Sequence, residues 1–286
     1  MTLAALIEQL SRRFAAAGLV FGHGYDSAWD EVVALVLHVT GLADDRASLA
    51  CEIAGDDLTR IDALARRRIE SREPLAYLIG ECRFAGHRFL IEPGVVIPRS
   101  PIGQLIESAL APWLAQPPAR ILDLCCGSGC IGIAAALAFD DAQLTLVDID
   151  PQALSLARRN LRLHGLEGRG RVVRSDLFAG LGATTFDLIV CNPPYVDAAD
   201  MASLPAEYRH EPALGLAGGE DGLTLVARLL AALPEHLERT GLLVCEVGAS
   251  APALLRRFPR MPFVWPDLPE GGEGVFLLSG DALGKP

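Results

Sequence analysis

Lysine is almost missing from this chain. Of 25 basic residues only Lys285 is a lysine, and arginine supplies the rest. Acidic residues outnumber them at 36, which leaves a net charge of -11. A surface of that sign argues against tight, sequence-independent binding to duplex DNA, which needs many phosphate contacts. It would help attract a basic protein partner. No uncharged apolar run approaches the roughly 20 residues that span a bilayer. Met1 to Arg13 lacks a basic start followed by an unbroken apolar core, so no secretory signal is expected there. The seven cysteines contain no C-x-x-C pair, are odd in number and lie partly inside apolar runs. Reduced thiols in a cytoplasmic protein are the expectation. Cys125, Cys126 and Cys130 have no nearby His to complete a ligand set, so no metal is expected. None of the six histidines joins a Ser or Cys in a hydrolase signature.

The composition that remains, 51% hydrophobic and 21% charged over 286 residues, describes a soluble globular protein. Its length suits one large domain with a smaller companion. Residues 3 to about 70 read as helices. Leu3, Leu6, Ile7, Leu10 and Phe14 follow helical spacing, and Gly18 ends that segment. Asp26 or Ser27 is placed to cap a helix from Ala28 to Val39. A later run, Leu58 to Ile69, carries Arg66-Arg67-Arg68, which reads as a solvated helix face. Cys82 to Ile91 alternates around Gly86 as a β-hairpin does. A helix from Ile102 to about Leu114 follows Pro98-Arg99-Ser100-Pro101. A domain boundary is expected near residue 95, within about ten residues.

From Arg120 strands alternate with helices. Strands are expected at Ile121–Leu124, Gln143–Ile149, Arg171–Val173, Phe186–Cys191 and Gly241–Val247, then near Phe263-Val264-Trp265 and Val275–Leu278. Helices are expected at Cys130–Phe139, Pro151–His164, Gly222–Leu233 and Ala251–Phe258. That alternation implies an open, mostly parallel sheet covered on both faces. Ligands then sit outside the carboxyl ends of the strands, where strand order switches.

Two stretches at strand ends carry chemistry. Gly127, Gly129 and Gly132 satisfy the dinucleotide fingerprint, and Asp148 follows about 20 residues later, as that motif asks. The physics requires only glycines that let a ligand approach a helix start and a carboxylate that grips a ribose. Asp123, just before the loop, would repel a pyrophosphate but suits a ligand amine, or else orders the turn. S-adenosylmethionine fits better than NAD. Its ammonium would lie near Asp123, its ribose on Asp148, and its adenine amine by Asp176, with Leu177 packed on the ring. The second stretch, Asn192-Pro193-Pro194-Tyr195, ends the strand Phe186–Cys191, because neither proline can donate to a ladder. Left behind are an amide, backbone carbonyls and an aromatic face, a fitting for a flat group bearing N–H donors.

Together the loop, Asp148, Asp176 and the Asn-Pro-Pro-Tyr cup resemble the class I S-adenosylmethionine-dependent methyltransferases, and within them the protein-(glutamine-N5) methyltransferases. That resemblance covers essentially the whole chain. It implies an α/β fold, Rossmann-like, with a mostly parallel seven-stranded sheet and a reversed last hairpin, preceded by a small helical bundle and a β-hairpin linker. Residues 1–80 would form a substrate-recognition domain, 81–100 the hairpin and linker, and 101–286 the catalytic domain. By match to the family motif, Asp123, Cys125, Gly127 and Gly129 make the cofactor loop. Asp148 holds the ribose, Asp176 and Leu177 the adenine end, and Asn192, Pro193, Pro194 and Tyr195 the glutamine, with Asn192 also beside the cofactor. Two positions depart from the pattern: Cys125 stands where the family often has Gly, and Gln104 where an acidic residue follows the Pro-Arg element.

Two branches compete, one acting on peptide-release factors and one on large-subunit ribosomal protein three. Ala17 to Asp26, Pro98 to Ile102, Asp123 to Ile131 and Leu204 to Pro212 are similar to the ribosomal-protein branch. Its substrate would be the free protein or an assembly intermediate. Adenine-N6 methylation of nucleic acid uses a similar cup, but the acidic charge and the lack of a basic, aromatic-interleaved region weigh against it. A nucleoside-binding assembly factor without catalysis is the reading from another class.

Overall fold

Hydrophobic spacing in the leading stretch produces helices α1 (Leu3–Ala16), α2 (Ala28–Thr40), α3 (Gly55–Ser71) and the short α4 (Leu75–Ile79). These belong to a computed structural model that describes residues 1–284; Lys285 lies outside the described residues. The expected face of α1 (Leu3, Leu6, Ile7, Leu10 and Phe14) is buried in full. Of the two candidate caps for α2 it is Ser27 that acts, its hydroxyl accepting from the Asp30 N–H at 3.2 Å. The bundle has its own core, in which Phe14, Leu35, Ile61 and Leu75 meet.

The arginine run is not one solvated face. Successive residues on a helix are turned by about 100°, so three in a row sweep about 200° and one must point inward on a two-faced helix. Arg66 and Arg67 stay at the surface, paired with Asp62 and Glu73. Arg68 is 1% exposed. Its Nε donates to Glu31 Oε1 at 2.5 Å and its Nη2 to the Val20 carbonyl at 3.2 Å.

Strands β1 (Glu81–Phe84) and β2 (His87–Leu90) pair antiparallel around Ala85-Gly86. Both turn residues have positive φ, as a two-residue hairpin turn requires. Helix α5 (Ile102–Glu107) stops well short of the expected Leu114. Ala109 and Leu110 turn left-handed, which carries the fully buried Leu110 into the core, and Pro112 cannot rejoin the helical ladder.

The remaining elements are β3 (Arg120–Leu124), α6 (Cys130–Ala138), β4 (Gln143–Asp148), α7 (Pro151–Leu163), β5 (Gly170–Arg174), β6 (Phe186–Cys191), α8 (Ala198–Ser203), α9 (Thr224–His236), β7 (Leu237–Glu246), α10 (Ala251–Arg257) and β8 (Val275–Ser279). The sheet order is β5-β4-β3-β6-β7-β8. Only β8 runs antiparallel to its neighbour. A seventh full strand was the expectation; among the described residues the sheet has six. At the seventh position Val264 alone pairs antiparallel with Leu277, through two backbone bonds of 3.0 and 2.8 Å. Pro262 and Pro266 flank that segment and leave too little chain to extend a ladder. Helix α6, apolar on every side, is buried from Cys130 to Ala136. Among the described residues no helix is long and apolar enough to cross a membrane.

Removing one partner of a buried ion pair leaves an uncompensated charge, so Arg68→Ala should destabilise the protein by about 3–5 kcal/mol in urea unfolding. A loss below about 1 kcal/mol would mean that Glu31 finds another partner.

Candidate active site

Strand order switches between β3 and β6: the chain grows one way through β4 and β5, then the other through β7 and β8. A cavity of about 460 Å³ opens at the carboxyl ends of these strands, a size in the usual range for small-molecule sites. Nine of the eleven residues singled out from sequence line it: Cys125, Gly127, Asp148, Asp176, Leu177, Asn192, Pro193, Pro194 and Tyr195. Asp123 and Gly129 are not part of its wall.

Asp123 is instead 1% exposed, and its Oδ2 accepts from the Gly132 N–H at 2.8 Å. It orders the turn, the second of the two roles open to it. A Cβ on Gly132 would come within 2.7 Å of Asp123 Cβ, so the third glycine serves this packing rather than a ligand. Gly129 supplies the left-handed residue before α6, at φ 81°. Cys125 is left-handed as well, at φ 57°, so the backbone keeps the glycine-like conformation and carries a thiol in it. Burial pushes the Cys126 and Cys130 thiols well up, as suits neutral thiols packed in a tight apolar loop.

Asp148 ends β4 with both oxygens engaged, accepting from the Gly127 N–H and the Asp150 N–H, each at 2.9 Å. An ionised carboxylate accepts about four hydrogen bonds, so two sites remain for vicinal hydroxyls. Burial raises its affinity for a proton. Asp176, after the neighbouring strand β5, also lines the cavity, in an exposed pair with Arg228 at 2.8 Å and with one oxygen still open. Asp123 Oδ1 is buried without any partner. Asp148 and Asp176, with free acceptor sites in the cavity wall, and the open loop backbone suit a ligand with hydroxyl and amine donors, and S-adenosylmethionine has both.

On the other side β6 ends in the cup. The Asn192 side chain has no hydrogen-bond partner among the described residues and lines the cavity. Tyr195 is fastened where Asn192 is free, its O–H donating to Glu246 Oε1 at 2.5 Å. Facing the cup is a wall that sequence reasoning marked only as a family phrase. Arg99 makes a two-pronged contact with Glu211, 2.7 Å on each side, and stacks over Tyr208 at 5.2 Å. Despite its burial, Glu211 is pulled down to about 2 by His23 and Arg99. Glu246 was not singled out at all. Its one signal was a lone carboxylate closing the apolar run Leu242 to Cys245. Gln104 clamps a loop instead of entering the site, donating to the Gly271 carbonyl at 2.8 Å and accepting from the Glu270 N–H at 2.9 Å. An acidic side chain could not do both.

Comparisons with known proteins agree with this geometry. The family model described as Methyltransferase small domain matches residues 107–207. The "Ribosomal protein uL3 glutamine methyltransferase" of Bordetella pertussis is 45% identical, over 99% of this chain and 96% of its own length. The protein of the same description in Francisella tularensis subsp. tularensis is 43% identical, over 94% and 87%. Among solved structures, the hMettl16 catalytic domain in complex with MAT2A 3'UTR hairpin 1 superposes with a TM-score of 0.52 at 15% identity, covering 87% of this chain and 91% of that one. At that identity the likeness is one of fold.

Desolvation pushes the Asp123 carboxyl from 3.8 up to about 8. A carboxyl raised in the folded state stabilises below its unfolded value and loses that contribution as pH climbs. Asp123→Asn keeps an acceptor for Gly132 and removes the titration. Its stability relative to the parent should therefore rise steadily between pH 4 and pH 8 in unfolding experiments. Asp148 is shifted the same way in both proteins and drops out. A difference that does not vary with pH would show that Asp123 is not the protonated group.

Proposed function

The chain belongs to the family of ribosomal protein uL3 glutamine methyltransferases, and on that footing we propose that it transfers a methyl group from S-adenosylmethionine to the side-chain amide nitrogen of a glutamine in ribosomal protein uL3. The observation that carries this reading is the unpartnered Asn192 carboxamide at the end of β6, facing a cavity whose opposite rim is made of carboxylates and loop backbone. All seven thiols are free, which suits the cytoplasm as the working compartment. Residues 1–80 serve as the substrate-recognition domain, 81–100 as the linker and 101–286 as the catalytic domain. The acceptor is ribosomal protein uL3, free or in an assembly intermediate, and this chain's charge of -11 would favour association with a basic partner.

An amide nitrogen is a poor nucleophile because its lone pair is delocalised into the carbonyl. In this reading the Asn192 side-chain oxygen and the Pro193 carbonyl accept its two N–H bonds, which aims the nitrogen and opposes full planarity as a fourth bond forms. The Tyr195 ring covers the amide plane. Asp148 grips the ribose of the methyl donor, while Asp176 and Leu177 receive its adenine. When bound, S-adenosylmethionine supplies a sulfonium methyl open to in-line displacement. The protein contributes alignment and exclusion of water, and alignment alone is worth several kcal/mol of barrier in well-oriented reactions. The proton leaves after the new bond forms, so no strong general base is required.

Incubation with labelled S-adenosylmethionine and ribosomal protein uL3 should label one glutamine, located by mass spectrometry. Asn192→Ala should abolish labelling and bind the methyl donor within about threefold of the parent by calorimetry. Normal methylation by that variant would refute the scheme. Label in a release factor would move the enzyme to the other branch, and label in nucleic acid would remove it from protein methylation.

A further inference from the structure

Tyr195 is held at three points. Its carbonyl accepts from Ser250 Oγ at 3.1 Å. Its ring lies so close to Gly248 that a Cβ there would come within 2.5 Å of Cε2. Its phenol donates to Glu246 Oε1 at 2.5 Å. The first contact fixes the backbone, the second limits the ring on one side, and the third opposes tilting at its far end.

Glu246 sits on the last residue of β7 at 4% exposure. Its second oxygen accepts from Ser100 Oγ at 2.5 Å, and Ser100 Oγ in turn accepts from the Ile102 N–H at 3.2 Å. The neighbouring residue, Arg99, is locked to Glu211, which also accepts from the Ile97 N–H at 2.8 Å. The wall segment Ile97 to Ser100 is thus braced by two buried carboxylates, and one of them also carries the cup's tyrosine. Glu246 has no ion-pair partner among the described residues; Arg99 acts on it only through space. A carboxylate this desolvated is costly to keep without a cation, and a hydrophobic residue would fill the same volume more cheaply were packing its only task.

We infer that Glu246 is a positioning residue for methyl transfer: by accepting the Tyr195 O–H it holds the ring against the acceptor amide, and through Ser100 it ties that ring to the wall carrying Arg99. The inference rests on the cup being the acceptor site. It does not require Glu246 to be charged. A carboxamide in its place can accept from Tyr195 through its oxygen and donate to Ser100 through its nitrogen, since a hydroxyl has a second lone pair. A side chain of similar size with no acceptor cannot.

The test measures kcat, the KM for ribosomal protein uL3 and the donor Kd for the parent and four variants of the full chain. Glu246→Gln should keep kcat within about threefold. Glu246→Leu should lower kcat tenfold to a hundredfold, the scale of a small misplacement at a reacting centre, with both binding constants unchanged within threefold. Tyr195→Phe should also lower kcat, and the double variant should lose well under the product of the two single losses, because the two residues share the Tyr195–Glu246 bond. The inference is overturned if Glu246→Leu turns over like the parent, if Glu246→Gln is as impaired as Glu246→Leu, if donor affinity falls in step with kcat, or if the double variant is additive. Should Glu246→Leu fail to fold, Tyr195→Phe decides, since it removes only the hydroxyl: a parental kcat overturns the inference. If the parent itself labels no glutamine, the assignment of the cup has failed, and that result is distinct from any pattern among the variants.

Discussion

Parallel strands that diverge from a central pair leave a gap at their carboxyl ends, and the whole site depends on that gap. Between β3 and β6 the chain departs in opposite directions, so no crossover covers the space above them. The loop after β3 and the cup after β6 therefore face each other across one cavity, although Asn192 stands 65 positions beyond Gly127 in the chain. Prolines at 193 and 194 make the arrangement rigid, since the backbone there can neither continue the strand nor begin a helix at once.

A second theme is carboxylates taken out of water. Asp123, Glu211 and Glu246 are deeply buried near the cavity and Asp148 is half-buried in its wall, and they meet burial differently. Glu211 has Arg99 and is held ionised at about 2. Asp123 has one backbone N–H and is driven up to about 8. Glu246 has two hydroxyls and no cation. Contact with a cation thus holds one carboxyl down, while a single amide or neutral donors leave the other two raised by burial. The same chemistry joins the helical bundle to the site. Glu207, in the segment after the cup, accepts from the Val20 N–H at 3.0 Å and lies 3.7 Å from Arg68, while His23 packs its ring on Tyr208 with centroids 4.3 Å apart. The segment after the cup is thus tied to α3 and to the loop between α1 and α2, so a shift in the leading bundle would be felt in the cavity wall.

Where expectation and structure diverged, the cause was one that local pattern does not contain. Arg68 looked like its two neighbours until helical geometry turned it inward onto Glu31. Helix α5 broke early because Leu110 belongs to the core, and a helix continued to Leu114 would have carried it elsewhere. The segment around Val264 has a strand's composition, and its flanking prolines, plainly visible, hold it to a single bridge. Asp123 and Gly129, both members of the motif, proved to support the loop from behind.

What the residues determined by themselves was the alternation of strands and helices, the cup, the glycine loop and the spacing to Asp148. Each depends on interactions within a few residues: periodicity, missing N–H donors, left-handed turns. Which of those residues face the ligand, and which other ones join them, was decided only by tertiary packing. Arg99, Tyr208, Glu211 and Glu246 come from three separate segments, and the family-like phrases around the first three and the apolar run before Glu246 do not say that they meet. They become part of the site because the sheet order and the bundle bring them to one wall and strip away their water. A buried carboxylate acquires its chemistry from its neighbours in space, and those neighbours are not its neighbours in the chain.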